Sequence, residues 1–160
     1  DEAQTRAARQ LAVDTIEAID GVGVFGVELF LEKDGRLLVN EIAPRTHNSG
    51  HYTIEACVTD QFEQQIRAIT GLPLGSTEQI QPAVMINLLG ESGYSGRTVV
   101  EGLDEALAVE GAAVHIYGKA ESKPGRKMGH VTVVDHSIDA AGAKAQRIRQ
   151  VLRIRGEHPL

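Results

Sequence analysis

Between Glu28 and His51 the chain gathers two carboxylates, two carboxamides, a guanidinium, two imidazoles and a hydroxyl: Glu28, Asn40, Glu41, Arg45, His47, Asn48, Ser49 and His51. Facing carboxylates hold a hard cation, and cationic and amide donors beyond them hold an oxyanion. That combination suits metal-assisted phosphoryl chemistry. It assembles only if the chain folds back on itself between Glu32 and Arg36. Residues 22–32 are rich in Val, Leu and Phe, residues 36–42 form a second apolar run, and Asp34-Gly35 lies between them. Asp-Gly flanked by such runs is the strongest short-range hairpin signal. With Asp34 and Gly35 as a two-residue loop, cross-strand partners have numbers summing to 69, and Glu28 faces Glu41. Directly opposite side chains sit about 5 Å apart, where like charges destabilise a sheet. A cation between them removes that penalty, and oxygen-only donors suggest magnesium.

Strand alternation puts Phe30 and Glu32 on the face of Glu28 and turns Val27, Leu29 and Leu31 toward a core. Phe30 then offers a flat apolar surface beside a metal–phosphate group, as a nucleotide base requires. Strict alternation puts Asn40 on the face away from Glu41, so Asn40 reaches the site only through a bulge or local twist. Past Glu41, Pro44 keeps Ala43 extended. Asn48 or Ser49 is then a suitable N-cap for a helix through residues 52–57. Free amides at that helix start, beside Arg45 and His47, would form an anion site. Two other motifs carry nothing. Gly21-x-Gly23-x-x-Gly26 matches a dinucleotide fingerprint, but it follows a helical stretch and opens a strand, the reverse of the required context. His47 and His51 have zinc-ligand spacing, but Ser49-Gly50 interrupts the helix between them and no third ligand stands out.

The elements that position these groups follow from periodicity. Residues 3–19 read as a helix, closed by Asp20-Gly21. Residues 58–70 read as a second, with Asp60 as N-cap and Phe62, Ile66 and Ile69 on one face. The Gly71-Leu72-Pro73-Leu74-Gly75 stretch ends it and marks a domain boundary. Beyond lie a buried strand at 81–90, a Gly- and Ser-rich loop at 91–98, a short helix at 103–109 and strands at 112–117 and 128–135. A final amphipathic helix spans 138–154, with Ile148, Val151 and Leu152 inward. The second half therefore reads as a small β-sheet closed by a helix.

The chain has 160 residues, net charge −6, no Trp and one cysteine. With no basic stripe it has no nucleic-acid partner, and with no long apolar run no membrane span. A single cysteine excludes an internal disulfide and points to a reducing compartment, the cytoplasm. Cys57, ending an apolar helix, reads as a small buried hydrophobe and not a nucleophile. Opening at Asp1 inside a helix, the chain reads as a fragment lacking its N-terminal portion. The loop from Lys119 to Lys127 holds four cations, Lys119, Lys123, Arg126 and Lys127, around Pro124-Gly125. By composition this is a solvated surface turn.

The stretches GVFGVELFL, LLVNEIAPRTHNSGHYTIEAC and QFEQQIRAITGLPLG, with HIYGKAESKPGRKMGHVTV at 115–133, resemble the ATP-grasp superfamily. Within it they are most similar to the carboxyaminoimidazole ribonucleotide synthetase family. The resemblance implies an α+β chain: residues 1 to about 75 the C-terminal lobe of an ATP-grasp fold, and 76–160 a small mixed β-sheet domain with a closing helix. It implies ATP and Mg2+ as cofactors, and bicarbonate and aminoimidazole ribonucleotide as substrates. Bicarbonate would be phosphorylated to carboxyphosphate, which carboxylates the substrate amine. Glu28 and Glu41 would bind the metal, with Asn40 assisting and Phe30 against the adenine. Arg45, His47 and Asn48 would hold bicarbonate and carboxyphosphate. Lys119 and Arg126, with Lys127 as a third candidate, would grip the ribonucleotide 5′-phosphate. The chain alone would be inactive, because it supplies only one wall of a nucleotide cleft. Another ATP-grasp ligase, of the formate-dependent glycinamide ribonucleotide transformylase or biotin carboxylase type, or a non-catalytic Mg-nucleotide-binding domain, remains open. So does the oligomeric state, a homodimer included.

Overall fold

The computed structural model describes residues 1–160. The chain is α+β and divides into two compact units, 1–54 with 58–78, and 55–57 with 79–160.

In the first unit, helix α1 (Glu2–Glu17) starts at a capping box in which the Asp1 side chain accepts from the Gln4 amide. Strands β1 (Gly26–Leu31) and β2 (Leu37–Ala43) form an antiparallel hairpin. A single 3-10 turn, Asn48–Gly50, leads to a one-turn helix, α2 (Thr53–Ala56), whose last two residues count with the second unit, and then to α3 (Gln61–Thr70). The Asp60 carboxylate accepts from the Phe62 and Glu63 amides, and Gly71 closes α3 in the left-handed conformation at φ 73°.

The hairpin turn differs from the two-residue loop expected of Asp34-Gly35. Glu32 N–H donates to Arg36 O at 2.9 Å, so Lys33, Asp34 and Gly35 make a three-residue loop with Gly35 at φ 89°. Near the turn the pairs are Leu31↔Leu37, Phe30↔Leu38 and Leu29↔Val39, one residue off the expected register. A bulge between Leu29 and Glu28 absorbs Asn40 and restores it, so Glu28↔Glu41 pair as expected. A second expectation fails: Leu31 is 53% exposed, not turned into a core. Among the apolar residues of this unit only Ala43 is fully buried.

The second unit holds β3 (Ala83–Leu89), β4 (Tyr94–Glu101), α4 (Leu103–Leu107), β5 (Ala112–Ile116), β6 (Glu121–Ser122), β7 (Lys127–Val134), α5 (Ile138–Val151) and β8 (Arg153–Pro159). They form two antiparallel three-stranded sheets, β3-β7-β5 and β6-β4-β8. Where the sequence suggested one small mixed β-sheet closed by a helix, the structure has two sheets with antiparallel pairing throughout. Residues 94–98, expected as loop, lie in β4. Residues 153–159 form a strand, and α5 ends at Val151 because Leu152 turns extended at φ −84°, ψ 117°. Neither strand shows a clear apolar alternation: β8 buries only Ile154 and Gly156, and β4 has no fully buried position. Gly156 is required: a Cβ there would lie 2.1 Å from the Ser95 backbone carbon. Central β7 buries Met128, Val131 and Val133 against Ile148 and Ala145 of α5, which sets the core of this unit.

Candidate functional site

Glu28 and Glu41 are register partners, so their side chains leave the same face of the hairpin. At the bulge two β2 residues, Asn40 and Glu41, oppose the one residue Glu28. This is the local device that strict alternation lacked: Asn40 Nδ2 lies 3.4 Å from Glu28 Oε2. Both carboxylates are exposed, as is Phe30, two residues along the same face. No group of three or more His, Cys, Asp or Glu side chains is placed to hold a metal by itself.

His47 approaches from the loop after β2. Its Nδ1 accepts from the Ser49 amide at 3.3 Å and lies 2.8 Å from Ser49 Oγ. A backbone N–H can only donate, so the ring proton sits on Nε2, which points at Glu28 Oε1 from 3.4 Å. Gly26 makes room for this ring, since a Cβ there would come within 2.8 Å of His47 Cβ. Arg45 is exposed, with Nη1 on the Thr46 carbonyl at 3.0 Å. Asn48 is half-buried and opens the 3-10 turn.

The expected helix-start anion site is not built. His47, not Asn48 or Ser49, caps the 3-10 turn and takes the Ser49 amide, and α2 is only four residues long. What holds the loop is a residue that the sequence did not single out, Gln61. Its buried carboxamide accepts from His47 N at 2.9 Å, donates to His47 O at 2.9 Å and meets His51 Nδ1 at 2.8 Å. Thr53 Oγ1 accepts from Gln61 N at 3.0 Å and donates to Gly50 O at 2.5 Å. His51 also stacks on Phe62, with ring centroids 5.7 Å apart. The only sequence signal for Gln61 was a polar residue opening an amphipathic helix.

The cationic loop belongs to the second unit. Lys119 Nζ donates to Lys127 O, and Arg126 Nη1 donates to Glu121 O at 2.8 Å. Both cations are half-buried and keep further donors, while Lys127 is exposed at the start of β7. Lys119 lines an open cleft of about 520 Å³ with Arg97, Thr98 and Met128, a cleft that Arg126 does not line. Cys57 is half-buried and unbridged, and burial pushes its thiol up from the usual range, against a role as nucleophile. No helix is long and apolar enough to cross a membrane.

Residues 1–62 match the ATP-grasp domain, and residues 83–144 match the phosphoribosylaminoimidazole carboxylase C-terminal domain. An N5-carboxyaminoimidazole ribonucleotide synthase from Aquifex aeolicus is 48% identical over 151 residues, 94% of this chain and 40% of the relative. The crystal structure of N5-carboxyaminoimidazole ribonucleotide synthetase from Thermotoga maritima is 59% identical, with TM-score 0.89 over 98% of this chain and 44% of that one. The Aspergillus clavatus N5-carboxyaminoimidazole synthase, solved with ADP and 5-aminoimidazole ribonucleotide, is 39% identical, with TM-score 0.80 over 94% of this chain and 40% of that one. The chain thus spans about two fifths of the length of these relatives.

Proposed function

We propose a function from one premise: the chain belongs to the N5-carboxyaminoimidazole ribonucleotide synthase family of ATP-grasp proteins. The protein that contains it is an ATP-dependent ligase of purine biosynthesis. It joins bicarbonate to the exocyclic amine of 5-aminoimidazole ribonucleotide and releases ADP and phosphate. Residues 1–75 contribute part of the ATP-grasp domain, and residues 76–160 a second domain that binds substrate.

The observation that carries this reading is the Glu28↔Glu41 pair with Asn40 bulged toward Glu28. Glu28 and Glu41 would hold Mg2+, a hard cation for which one or two protein carboxylates suffice beside substrate phosphates. Bound there, the metal would neutralise charge on the ATP phosphates during transfer. Asn40 and His47 hold the Glu28 carboxylate from either side, through long contacts of 3.4 Å each. Phe30 gives the adenine an apolar face. Arg45, with His47 and Asn48, orients bicarbonate so that its oxygen attacks the γ-phosphorus. Positioning of this kind is most of what phosphoryl transfer asks of a protein. The resulting carboxyphosphate passes its carboxyl group to the amine, and phosphate leaves. Lys119 and Arg126, with Lys127 at the edge, bind the ribonucleotide 5′-phosphate through charge-assisted hydrogen bonds.

The test is phosphate release by the full-length protein with Mg-ATP. Release should require bicarbonate and 5-aminoimidazole ribonucleotide together. Release that ignores the ribonucleotide, or that formate or biotin supports instead, would overturn the assignment.

A further inference from the structure

The cationic loop is anchored by a row of aromatic and polar groups in the second unit. His115 of β5 and His130 of β7 are register partners and stack with centroids 4.4 Å apart. The Glu55 carboxylate, which can only accept, takes the Nε2 proton of His115 at 2.7 Å. On the other side of His130, its Nδ1 lies 2.9 Å from the Tyr117 hydroxyl. His130 is 3% exposed, so this bond is made where water does not compete. Tyr117 N donates to Met128 O at 2.9 Å, which extends the β5–β7 ladder one residue past the end of β5. Gly118 then turns sharply at φ 68°, a conformation that costs other residues about 1–2 kcal/mol. That turn brings Lys119 back over Tyr117, with its ammonium 5.7 Å from the ring centroid.

We propose that Tyr117 and His130 are positioning residues for Lys119: the Tyr117 ring, fixed through its hydroxyl by His130, is the floor that holds the Lys119 ammonium toward an anionic phosphate. This rests on the reading of Lys119 as a phosphate ligand. A flexible lysine otherwise spreads its ammonium over many rotamers, and ordering it on binding costs affinity. An aromatic face within about 6 Å attracts the cation and takes none of its donors, so those that Lys127 O does not accept stay available to the phosphate. The His115–Glu55 pair completes the row by fixing the imidazole on which His130 stacks.

The experiment is a double-mutant cycle in the full-length protein, with the Michaelis constant for 5-aminoimidazole ribonucleotide measured at saturating ATP and bicarbonate. Lys119→Ala tests the underlying reading, and an unchanged constant would remove the base of the proposal and of the phosphate site together. If that constant rises, Tyr117→Leu is expected to raise it by about 2- to 30-fold, the worth of a cation–π seat, with kcat and the constant for ATP unchanged. In the Lys119→Ala background the same substitution should then do nothing further. Tyr117→Phe keeps the ring but releases His130, and should give a smaller rise than Tyr117→Leu, about 2- to 13-fold on the scale of one neutral hydrogen bond, that also vanishes without Lys119. Equal effects of either Tyr117 variant with and without Lys119 would mean that Tyr117 acts independently. That result would overturn the proposal while leaving the phosphate site standing.

Discussion

Glu28 is the register partner of Glu41, and Asn40, the bulged residue beside them, approaches Glu28 at 3.4 Å. Without a cation the pair is a like-charge contact, worth about 0.2–1 kcal/mol against the sheet. Glu41→Gln should therefore leave the magnesium-free protein as stable as the parent or slightly more so. Mg-ATP should stabilise the parent alone, because ligand binding adds to stability only where the site is intact. Urea denaturation with and without Mg-ATP checks both. Stabilisation of Glu41→Gln equal to that of the parent would remove Glu41 from the metal site.

Gln61 holds the loop that carries His47, so its effect should appear in turnover although it touches no substrate. In Gln61→Glu the shape is kept, but an oxygen replaces the Nε2 that donates to His47 O and His51. Leaving buried acceptors unpaired costs about 1–3 kcal/mol. The variant should lose that much stability by chemical denaturation and should also turn over at least tenfold more slowly. Full activity would mean that the loop needs no clamp.

The two anion-binding sets should separate kinetically. Arg45 would contact the group being phosphorylated, where charge develops, so Arg45→Ala should lower kcat and leave ribonucleotide binding nearly intact. Arg126 would grip a phosphate remote from the chemistry, so its loss should appear in the Michaelis constant. At about 1.5–3 kcal/mol per charge-assisted contact, Arg126→Ala should raise the ribonucleotide constant about 10- to 150-fold. An unchanged constant would return the loop to a solvated turn.

The second unit should carry an acid limb. The Lys144 ammonium, 2.7 Å away, and the His136 backbone amide hold Asp135 down to about 2 from its ordinary 3.8. A depressed carboxylate contributes stability that is present above its unfolded value and lost as pH falls through its folded one. Parent stability should therefore drop toward that of Asp135→Asn between about pH 4 and pH 2. Denaturation midpoints at several pH values report the gap, and curves that stay parallel through that window would contradict the pairing.

The hairpin was legible because Asp34-Gly35 punctuates two apolar runs. Its detail was not: the turn holds three residues and Asn40 bulges, and the two departures cancel at Glu28↔Glu41. Helices α1, α3 and α5 followed from their 3.6-residue pattern and caps. Strands β4 and β8 did not: Gly156 stands at a buried position of β8 where an apolar side chain would have signalled the inward face, and β4 has no fully buried position to mark one. The polar cluster from Arg45 to His51 was visible as composition. What holds it was not, since a clamp by Gln61 is a contact between segments with no periodicity of its own.

The most direct measurement of the central claim uses bicarbonate labelled with 18O. Attack of a bicarbonate oxygen on the γ-phosphorus makes that oxygen the bridge of carboxyphosphate, and it stays with phosphorus when the amine takes the carboxyl group. Each phosphate released by the full-length protein with Mg-ATP and 5-aminoimidazole ribonucleotide should therefore carry one labelled oxygen, and Glu41→Gln should release almost none. Unlabelled phosphate, or undiminished release by Glu41→Gln, would contradict phosphoryl transfer to bicarbonate at this hairpin.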